Sequence, residues 1–164
     1  MKLTGDQLKV TQLTEKHVRL LLRHRLDFFR EFNIPYEKSW PSNAISIALP
    51  LYYDQLLKKE QSNLFGPCMI QLLLTNQIIG EFNLKQIDHC IEIGYHIFPR
   101  HRNNGYATEA LKLVCKYIDQ IKEIDLIRAY CYKNNKISLH ILKKIGFQIK
   151  IIEDVITLER GKEA

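Results

Sequence analysis

The first part of the chain carries one strand pattern followed by a helical one. Apolar residues occupy every second position of Leu8–Gln12, which predicts a strand. A helix is predicted to begin after Thr14, because threonine suits the N-cap and Leu13 and Val18 are spaced as a hydrophobic staple. Apolar residues then recur at helical spacing as far as Phe29, so a single helix is expected to that point.

A looser stretch, residues 33–41, separates this helix from a second one. It contains two prolines and the only tryptophan of the chain. The second helix is predicted to begin after Ser42. Pro50 is expected to kink or split it, because proline cannot donate the helical backbone hydrogen bond.

From Pro67 onward the pattern changes from helical to extended. Three strands with short polar turns are predicted: Met69–Leu74, Gln77–Lys85 and Cys90–Phe98. In the third, isoleucines and one tyrosine face one side, while Glu92, Gly94 and His96 face the other. This strand therefore presents one apolar and one polar surface.

The remaining chain alternates helices and strands. The predicted elements are a long helix with an apolar stripe from Ala107 to Ile121, a strand Leu126–Tyr132, a helix Lys136–Ile145 closed by Gly146, and a hairpin of residues 147–152 and 155–160. This order predicts an α/β fold of the α+β type, with a mixed, mostly antiparallel central sheet flanked by about four helices. No linker or repeat interrupts it, so residues 1–164 are predicted to form a single domain.

Composition and charge exclude several classes of protein. Hydrophobic residues make up 46% and charged residues 26%, which is typical of a globular chain. The longest apolar stretch, 44–53, is too short for a membrane span, and the N-terminus lacks the apolar core of a signal peptide. We therefore expect a soluble, cytoplasmic protein with no membrane partner. The net charge of +6 favours an anionic partner, but the basic residues form no block typical of nucleic-acid binding.

The cysteines indicate neither a disulfide framework nor a metal site. Cys68, Cys90, Cys115 and Cys131 are far apart, and none belongs to a C-x-x-C pair or has histidines at zinc-finger spacing. We expect them to be small apolar side chains in or near the core, and we expect no metal.

The segment from Pro99 to Ala107, PRHRNNGYA, carries the strongest chemical signal. Residues 103–105 can turn the chain so that successive backbone N–H groups point into one concavity, and the helix that begins there adds its positive dipole end. Arg100 and Arg102 add full positive charges. These features predict a diphosphate site built largely from main chain. They fit a capped helix start with solvated arginines equally well, and spacing alone does not separate the two.

The motif itself separates them. Arg102–Ala107 reads R-x-x-G-x-A, follows the strand EIGYHI and precedes TEAL. With the N-x-x-S of Asn135–Ser138 and the later KIGF of Lys144–Phe147, it resembles the acetyl-CoA-binding signature of the GNAT acyltransferase superfamily. The branch it resembles most contains the ribosomal-protein-alanine N-acetyltransferases. The resemblance covers residues 77–147 at the level of motifs, and the element order extends it over most of the chain.

The resemblance implies an acyl-CoA-dependent N-acetyltransferase, which transfers an acetyl group from acetyl-CoA to a primary amine. The amine would be a protein N-terminus or a small molecule. A splay between neighbouring strands near Gly94 would admit acetyl-CoA, although that glycine also fits a plain strand bulge. The residues that the resemblance implies for holding it are Tyr95, Ile97, Phe98, Arg102, Asn103, Asn104, Gly105, Tyr106, Ala107, Thr108, Asn135 and Ser138.

The implied reaction is direct attack of a neutral amine on the thioester carbonyl, with a backbone N–H near Ile97 stabilising the oxyanion. Glu92 is the first candidate for the general base, with His96 and Glu81 as further candidates. Each also fits a solvated or salt-bridged strand residue.

The general acid departs from the pattern of the superfamily. Leu142 stands where many members carry a tyrosine that protonates the departing thiolate. Either Ser138 or water takes this role, or none is needed, because a thiol with a pKa near 8.5 leaves as thiolate.

Three functions stay open from the sequence. The first is the transferase, the second a catalytically silent CoA-binding or sensor module of the same fold, and the third a basic nucleic-acid-binding domain, which the scattered charge supports poorly. The sequence identifies neither the acceptor amine nor whether the chain forms a homodimer through its final strands.

Overall fold

The computed structural model describes residues 1–58 and 65–163 of the chain. Its strands are β1 Lys2–Thr4, β2 Leu8–Gln12, β3 Pro67–Leu72, β4 Ile78–Ile87, β5 Cys90–Ile97, β6 Leu126–Tyr132, β7 Gln148–Ile152 and β8 Val155–Gly161. Its helices are α1 Glu15–Arg23, α2 Arg25–Glu31, α3 Asn43–Lys58, α4 Tyr106–Asp119 and α5 Lys136–Lys144, and 99–101 form one turn of 3-10 helix. The expected mixed α/β fold is confirmed.

All of these strands join one sheet in the order β1-β2-β3-β4-β5-β6-β8-β7. Neighbouring strands are antiparallel except β5 and β6, which are parallel and connected through α4. A parallel pair needs such a crossover, because a short turn cannot bring the chain back to the same end of the sheet. The sheet is thus mostly antiparallel, as predicted.

Helices pack on both faces of this sheet. On one face α4 and α5 cover the main core, whose fully buried members include Phe82, Ile91, Leu111 and Leu142. On the other face α1, α2 and α3 enclose a second cluster around the fully buried Trp40. The strand residues alternate between the two clusters, as a pleated strand requires.

The first predicted helix is in fact two helices. His24 has φ −146° and ψ 81° and separates α1 from α2. Leu22 and Leu26, which belong to the predicted apolar stripe, are exposed as a result, at 42% and 54%. This break raises the number of α-helices in the described residues to five.

Pro50 does not split α3. Leu49 and Tyr52 on either side of it both pack into the second cluster, which holds the two halves in one helix. Pro50 itself is exposed, so the carbonyl that loses its backbone donor lies on the solvent side.

Three local features agree with the sequence and one strand was missed. Thr14 caps α1, Leu13 and Val18 are buried together, and Gly146 ends α5 with φ 95°. The strand β1 has only three residues, so its alternation of exposed and half-buried positions is too short to be recognised as a strand.

The predicted burial of the cysteines is confirmed for three of the four. Cys68, Cys115 and Cys131 are buried, Cys90 is half-buried, and all four are free thiols. Burial raises the pKa of the Cys68 and Cys115 thiols to about 12, so both stay protonated and unreactive at neutral pH. In the described parts of the chain, no helix combines the length and hydropathy that a bilayer span requires.

The first turn of α1 predicts a pH-dependent stability. The neutral ring of His17 accepts a hydrogen bond from the Thr14 N–H at Nδ1, 3.0 Å away, and burial lowers its pKa to about 4. Since this pKa lies below the ordinary 6.5, the stabilisation is complete above pH 6.5 and is lost as the pH falls toward 4. We expect about 2 kcal/mol of unfolding free energy to be lost between pH 7 and 5.

The control is His17→Gln, because glutamine at this position accepts the same backbone hydrogen bond without titrating. Urea unfolding at pH 7, 6 and 5 measures both proteins. The variant is expected to be less stable overall but to lose about 2 kcal/mol less than wild type over this interval. Parallel pH profiles for the two proteins would contradict the assignment.

Candidate active site

β5 and β6 are paired over only half the length of β5. Cys90–Ile93 pairs with Leu126–Ala129, and the ladder stops there. Beyond it, β5 continues to Ile97 paired with β4 alone, and β6 continues to Tyr132 paired with β8 alone. A gap therefore opens between the carboxyl ends of two parallel strands, which is where α/β sheets commonly bind ligands.

The backbone of Ile97 faces this gap. The Phe98 N–H donates to the Ile79 carbonyl of β4 at 2.9 Å. Because backbone groups of successive strand residues point to opposite edges, those of Ile97 point away from β4. Its carbonyl accepts from Arg102 Nε at 3.0 Å, which leaves the N–H directed toward the gap.

The turn after β5 leads into a helix start with free donors. Asn103 and Gly105 have φ 63° and 78°, and Gly105 is the N-cap of α4. Among the described residues, no side chain caps this helix, so its first N–H groups remain available at the positive end of the dipole. The Asn104 amide holds the turn by donating to the carbonyls of His101 and Arg102 at 3.2 and 2.9 Å.

A cavity of about 470 Å³ joins the gap to this helix start. It is lined by Tyr95, His96, Ile97, Pro99, His101, Arg102, Asn103, Gly105, Tyr106, Ala107, Thr108, Asn135, Ile137, Ser138 and Ile141. Main-chain donors lie at one end. The unpaired edge of β5 lies at the other, with the Arg102 guanidinium against the Ile97 carbonyl. A Cβ on Gly105 would meet no atom within 4 Å, so the backbone there is open to close approach. This arrangement fits the diphosphate and the extended arm of coenzyme A.

The start of α5 forms the opposite wall of the cavity. The Asn135 side chain caps the helix by accepting from the Ser138 N–H at 3.1 Å. The Ser138 hydroxyl lies 2.8 Å from the hydroxyl of Tyr95, which reaches across from β5. Burial raises the pKa of the Tyr95 phenol, so the phenol keeps its proton at neutral pH.

His96 lines the cavity from the opposite face of β5. Its Nε2 lies 3.2 Å from the Arg102 guanidinium, and its ring meets Phe98 edge-on at 5.6 Å. Burial lowers the pKa of His96; the Glu81 carboxylate opposes this shift, and Arg102 adds to it. The ring is therefore neutral at pH 7, with Nε2 accepting from the guanidinium.

Glu92 lies before the gap and is not among the residues that line the cavity. Its carboxylate accepts from the Tyr130 hydroxyl at 2.7 Å and lies 3.9 Å from Arg128. Arg128 in turn bonds Glu159 at 2.8 Å. The first base candidate is thus held in a charged network across β5, β6 and β8.

All predicted cofactor-binding and catalytic residues except Glu92, Phe98 and Asn104 line the cavity. Phe98 is 2% exposed and packs in the second cluster instead. Glu81, the third base candidate, is also buried and accepts from the Ser42 N–H at 3.2 Å, opposite His96 in the ladder. Leu142 is fully buried in the main core.

Four lining residues received no individual role from the sequence: Pro99, His101, Ile137 and Ile141. The first two belong to the segment predicted to bind the diphosphate, whereas the two isoleucines were missed. The two isoleucines are four positions apart and so share one face of α5, which is a signal that sequence could have supplied. Arg100, expected to add charge to the site, instead pairs with the buried Glu37. The Glu37 carboxylate therefore neutralises much of the Arg100 charge, and Arg100 adds little positive charge to the cavity.

A comparison with protein families gives one match. The family model described as "Acetyltransferase (GNAT) domain" matches residues 8–148. Two curated relatives come from Bacillus subtilis. The uncharacterized N-acetyltransferase YoaA is 35% identical over 77 residues, 45% of this chain and 44% of that protein, so the match spans less than half of YoaA. The probable N-acetyltransferase YjcK is 28% identical over 85% of this chain and 77% of its own.

Solved structures of low identity share the fold. The ribosomal-protein-S5-alanine acetyltransferase from Vibrio fischeri has a TM-score of 0.67 at 16% identity, over 99% of this chain and 97% of its own. RimL, a ribosomal L7/L12 alpha-N-protein acetyltransferase in complex with coenzyme A, has a TM-score of 0.69 at 15% identity, over 98% of each chain. A mutant of the spermidine N-acetyltransferase SpeG from Vibrio cholerae has a TM-score of 0.66 at 19% identity, over 96% of this chain and 95% of its own.

The open helix start predicts that Gly105→Ala weakens anion binding. Alanine at φ 78° is strained by about 1–2 kcal/mol, and its Cβ would project into the space before α4. We expect the affinity for inorganic pyrophosphate to fall about tenfold in calorimetry.

Gly161→Ala is the matched control, because its Cβ also meets open space but its φ is not left-handed. This variant should bind pyrophosphate as wild type does. Equal affinities for the two alanine variants would show that the anion does not bind at the start of α4.

Proposed function

This chain belongs to the GNAT acetyltransferase family, and on that premise we propose that it transfers an acetyl group from acetyl-CoA to a primary amine. The observation that carries the proposal is the cavity in which the gap between β5 and β6 meets the uncapped start of α4. A free helix N-terminus suits a diphosphate, and an unpaired strand edge suits an extended amide-containing arm. Coenzyme A contains both groups.

The residues that would hold acetyl-CoA divide into three groups. The N–H groups of 103–107 and Thr108 would take the diphosphate, with the Arg102 guanidinium nearby. The Arg102 N–H already donates to the Pro99 carbonyl. The edge of β5 at Tyr95 and Ile97 would take the arm, and Asn135 and Ser138 would contact it from α5. Acetyl-CoA supplies an activated acyl group. The Ile97 N–H, directed toward the gap, is our candidate for stabilising the negative charge on the carbonyl oxygen.

We assign the general base to His96. It lines the cavity, whereas Glu92 is engaged by Tyr130 and Arg128. The lone pair of His96 Nε2 accepts from the Arg102 guanidinium. It becomes available as a base when the guanidinium turns to an anionic group instead. Glu81, beside His96 on β4, would stabilise the ring once it is protonated.

The acceptor best suited to this base is an α-amine. Neutralising an α-amine with a pKa near 8 costs about 1 kcal/mol at pH 7, whereas a lysine-like amine near 10.4 costs about 4–5 kcal/mol. A histidine with a lowered pKa is a weak base and meets only the smaller demand. Peptide N-termini and small amines of similar pKa are therefore the proposed substrates.

The alternative is a silent module that binds CoA without transferring. It is consistent with the same cavity, and the arrangement of Arg102 against His96 is the observation in its favour. Only turnover separates the two functions.

An acetyl-CoA turnover screen tests the proposal. Purified protein is offered α-amino peptides, polyamines, aminoglycosides and amino acids, and free thiol release is followed together with the mass of each amine. We expect thiol release with a gain of about 42 Da, one acetyl group, with the α-amino class fastest because its amine is cheapest to neutralise. Tight binding of CoA with no thiol release for any class would establish the silent module instead.

The assignment of His96 predicts a pH profile. Because burial lowers the pKa of His96, kcat at saturating amine should fall on the acid side only below pH 6.5, where the ring becomes protonated. His96→Gln should lower kcat about 100-fold and remove this acid limb.

Glu92→Gln is the matched comparison on the same strand. It is expected to keep the acid limb and most of the activity, because Tyr130 and Arg128 hold that carboxylate. The opposite ranking of the two variants would transfer the role of base to Glu92.

A further inference from the structure

The hydroxyls of Tyr95 and Ser138 form a hydrogen bond across the cavity. Tyr95 belongs to β5 and Ser138 to α5, and their oxygens are 2.8 Å apart. The backbone of Ser138 is fixed, because its N–H donates a hydrogen bond to the Asn135 side chain that caps α5. Tyr95 is fixed by packing against the main core and by the Phe82 ring at 6.2 Å. The pair is therefore rigid at the point where β5 and α5 face each other.

The direction of this hydrogen bond follows from acidity. A phenol is a stronger acid than an aliphatic alcohol, and Tyr95 keeps its proton because burial raises its pKa. Either oxygen can donate in this contact, and the more acidic phenol is the better donor to Ser138 Oγ. The single hydroxyl proton of Ser138 is then directed away from Tyr95, into the remaining space of the cavity.

The departing thiolate needs a donor in this part of the cavity. The Arg102 guanidinium donates to the Ile97 carbonyl and to His96 Nε2 on β5, and Leu142 on α5 is buried and aliphatic. Ser138 is the hydroxyl that α5 offers opposite the unpaired edge of β5. A hydrogen bond to a charged acceptor is stronger than one to a neutral acceptor, so a directed O–H favours the thiolate over the thioester.

We infer that Tyr95 is a positioning residue that aims the Ser138 hydroxyl at the leaving sulfur. The inference rests on the proposed function. As the amine nitrogen bonds to the carbonyl carbon, the C–S bond breaks and its electron pair goes to sulfur. The amine proton goes to His96. The thiolate accepts a hydrogen bond from Ser138 and takes its proton from water after release.

Binding of CoA as a function of pH tests this step without turnover. A hydroxyl directed at sulfur lowers the pKa of the bound thiol, so CoA should bind about tenfold more tightly at pH 9.5 than at pH 7 if that pKa falls by about one unit. Desulfo-CoA, which lacks the thiol, should show no such gain. Other groups that face the cavity (His96, His101, Arg102 and Tyr106) affect both probes alike, as does Cys131 beside Tyr95.

Two variants identify the pair as the cause. Tyr95→Phe and Ser138→Ala should each reduce the extra gain for CoA over desulfo-CoA to about threefold or less. The gain is a ratio taken between two pH values within one variant, so a loss of affinity common to both probes cancels. Tyr117→Phe, on α4 outside the cavity, is the matched control and should keep the full gain.

Turnover supplies a second readout. Tyr95→Phe should lower kcat about tenfold with little change in KM for acetyl-CoA. The Tyr95→Phe, Ser138→Ala double variant should be no slower than Ser138→Ala alone, because the tyrosine acts through the serine.

The results that overturn the inference differ from those that overturn the function. Equal pH dependence for CoA and desulfo-CoA in wild type, or an undiminished gain in Tyr95→Phe, overturns the role of the pair while CoA binding stands. Failure of both probes to bind overturns the proposed function and this inference with it.

Discussion

The early end of the ladder between β5 and β6 is the constraint on which the site depends. Each strand is fully paired on its other side, β5 with β4 and β6 with β8, so the gap costs the fold little of its pairing. Backbone N–H and C=O groups at such an unpaired strand edge need other hydrogen-bond partners. The Ile97 carbonyl accepts a hydrogen bond from Arg102, and the N–H of Ile97 stays directed into the cavity. The same feature thus opens the cavity and equips it with a backbone donor.

Residues of the N-terminal half hold the turn after β5 in place. Arg25 donates to the carbonyls of Glu37, Lys38 and Trp40, which holds the loop after α2 against the second cluster. From this loop the buried Glu37 reaches Arg100 in the turn after β5. The turn that leads to α4 is therefore anchored to the loop after α2 on the second-cluster side of the sheet.

Local patterns predicted what local forces determine. The Thr14 cap, the β5 alternation and the Gly146 terminus all depend on neighbours within a few residues, and each was readable. The break at His24 was not, because the apolar spacing continues through it. The partners of Glu92 were also hidden: Tyr130 and Arg128 come to it from another strand, and only the register of β6 against β5 places them there. The contact of Tyr95 with Ser138 likewise depends on where α5 packs.

Tyr95 and His96 show how one strand can serve two chemical needs. Successive strand residues point to opposite faces, so the phenol reaches α5 while the imidazole lies on the side of α1–α3. The gap passes between the strands, and for this reason one cavity is lined by both side chains. If the two side chains shared a face, the phenol would be able to hydrogen-bond the imidazole instead of Ser138. Separated by the backbone of β5, each keeps its own partner: Arg102 and Glu81 for the imidazole, Ser138 for the phenol.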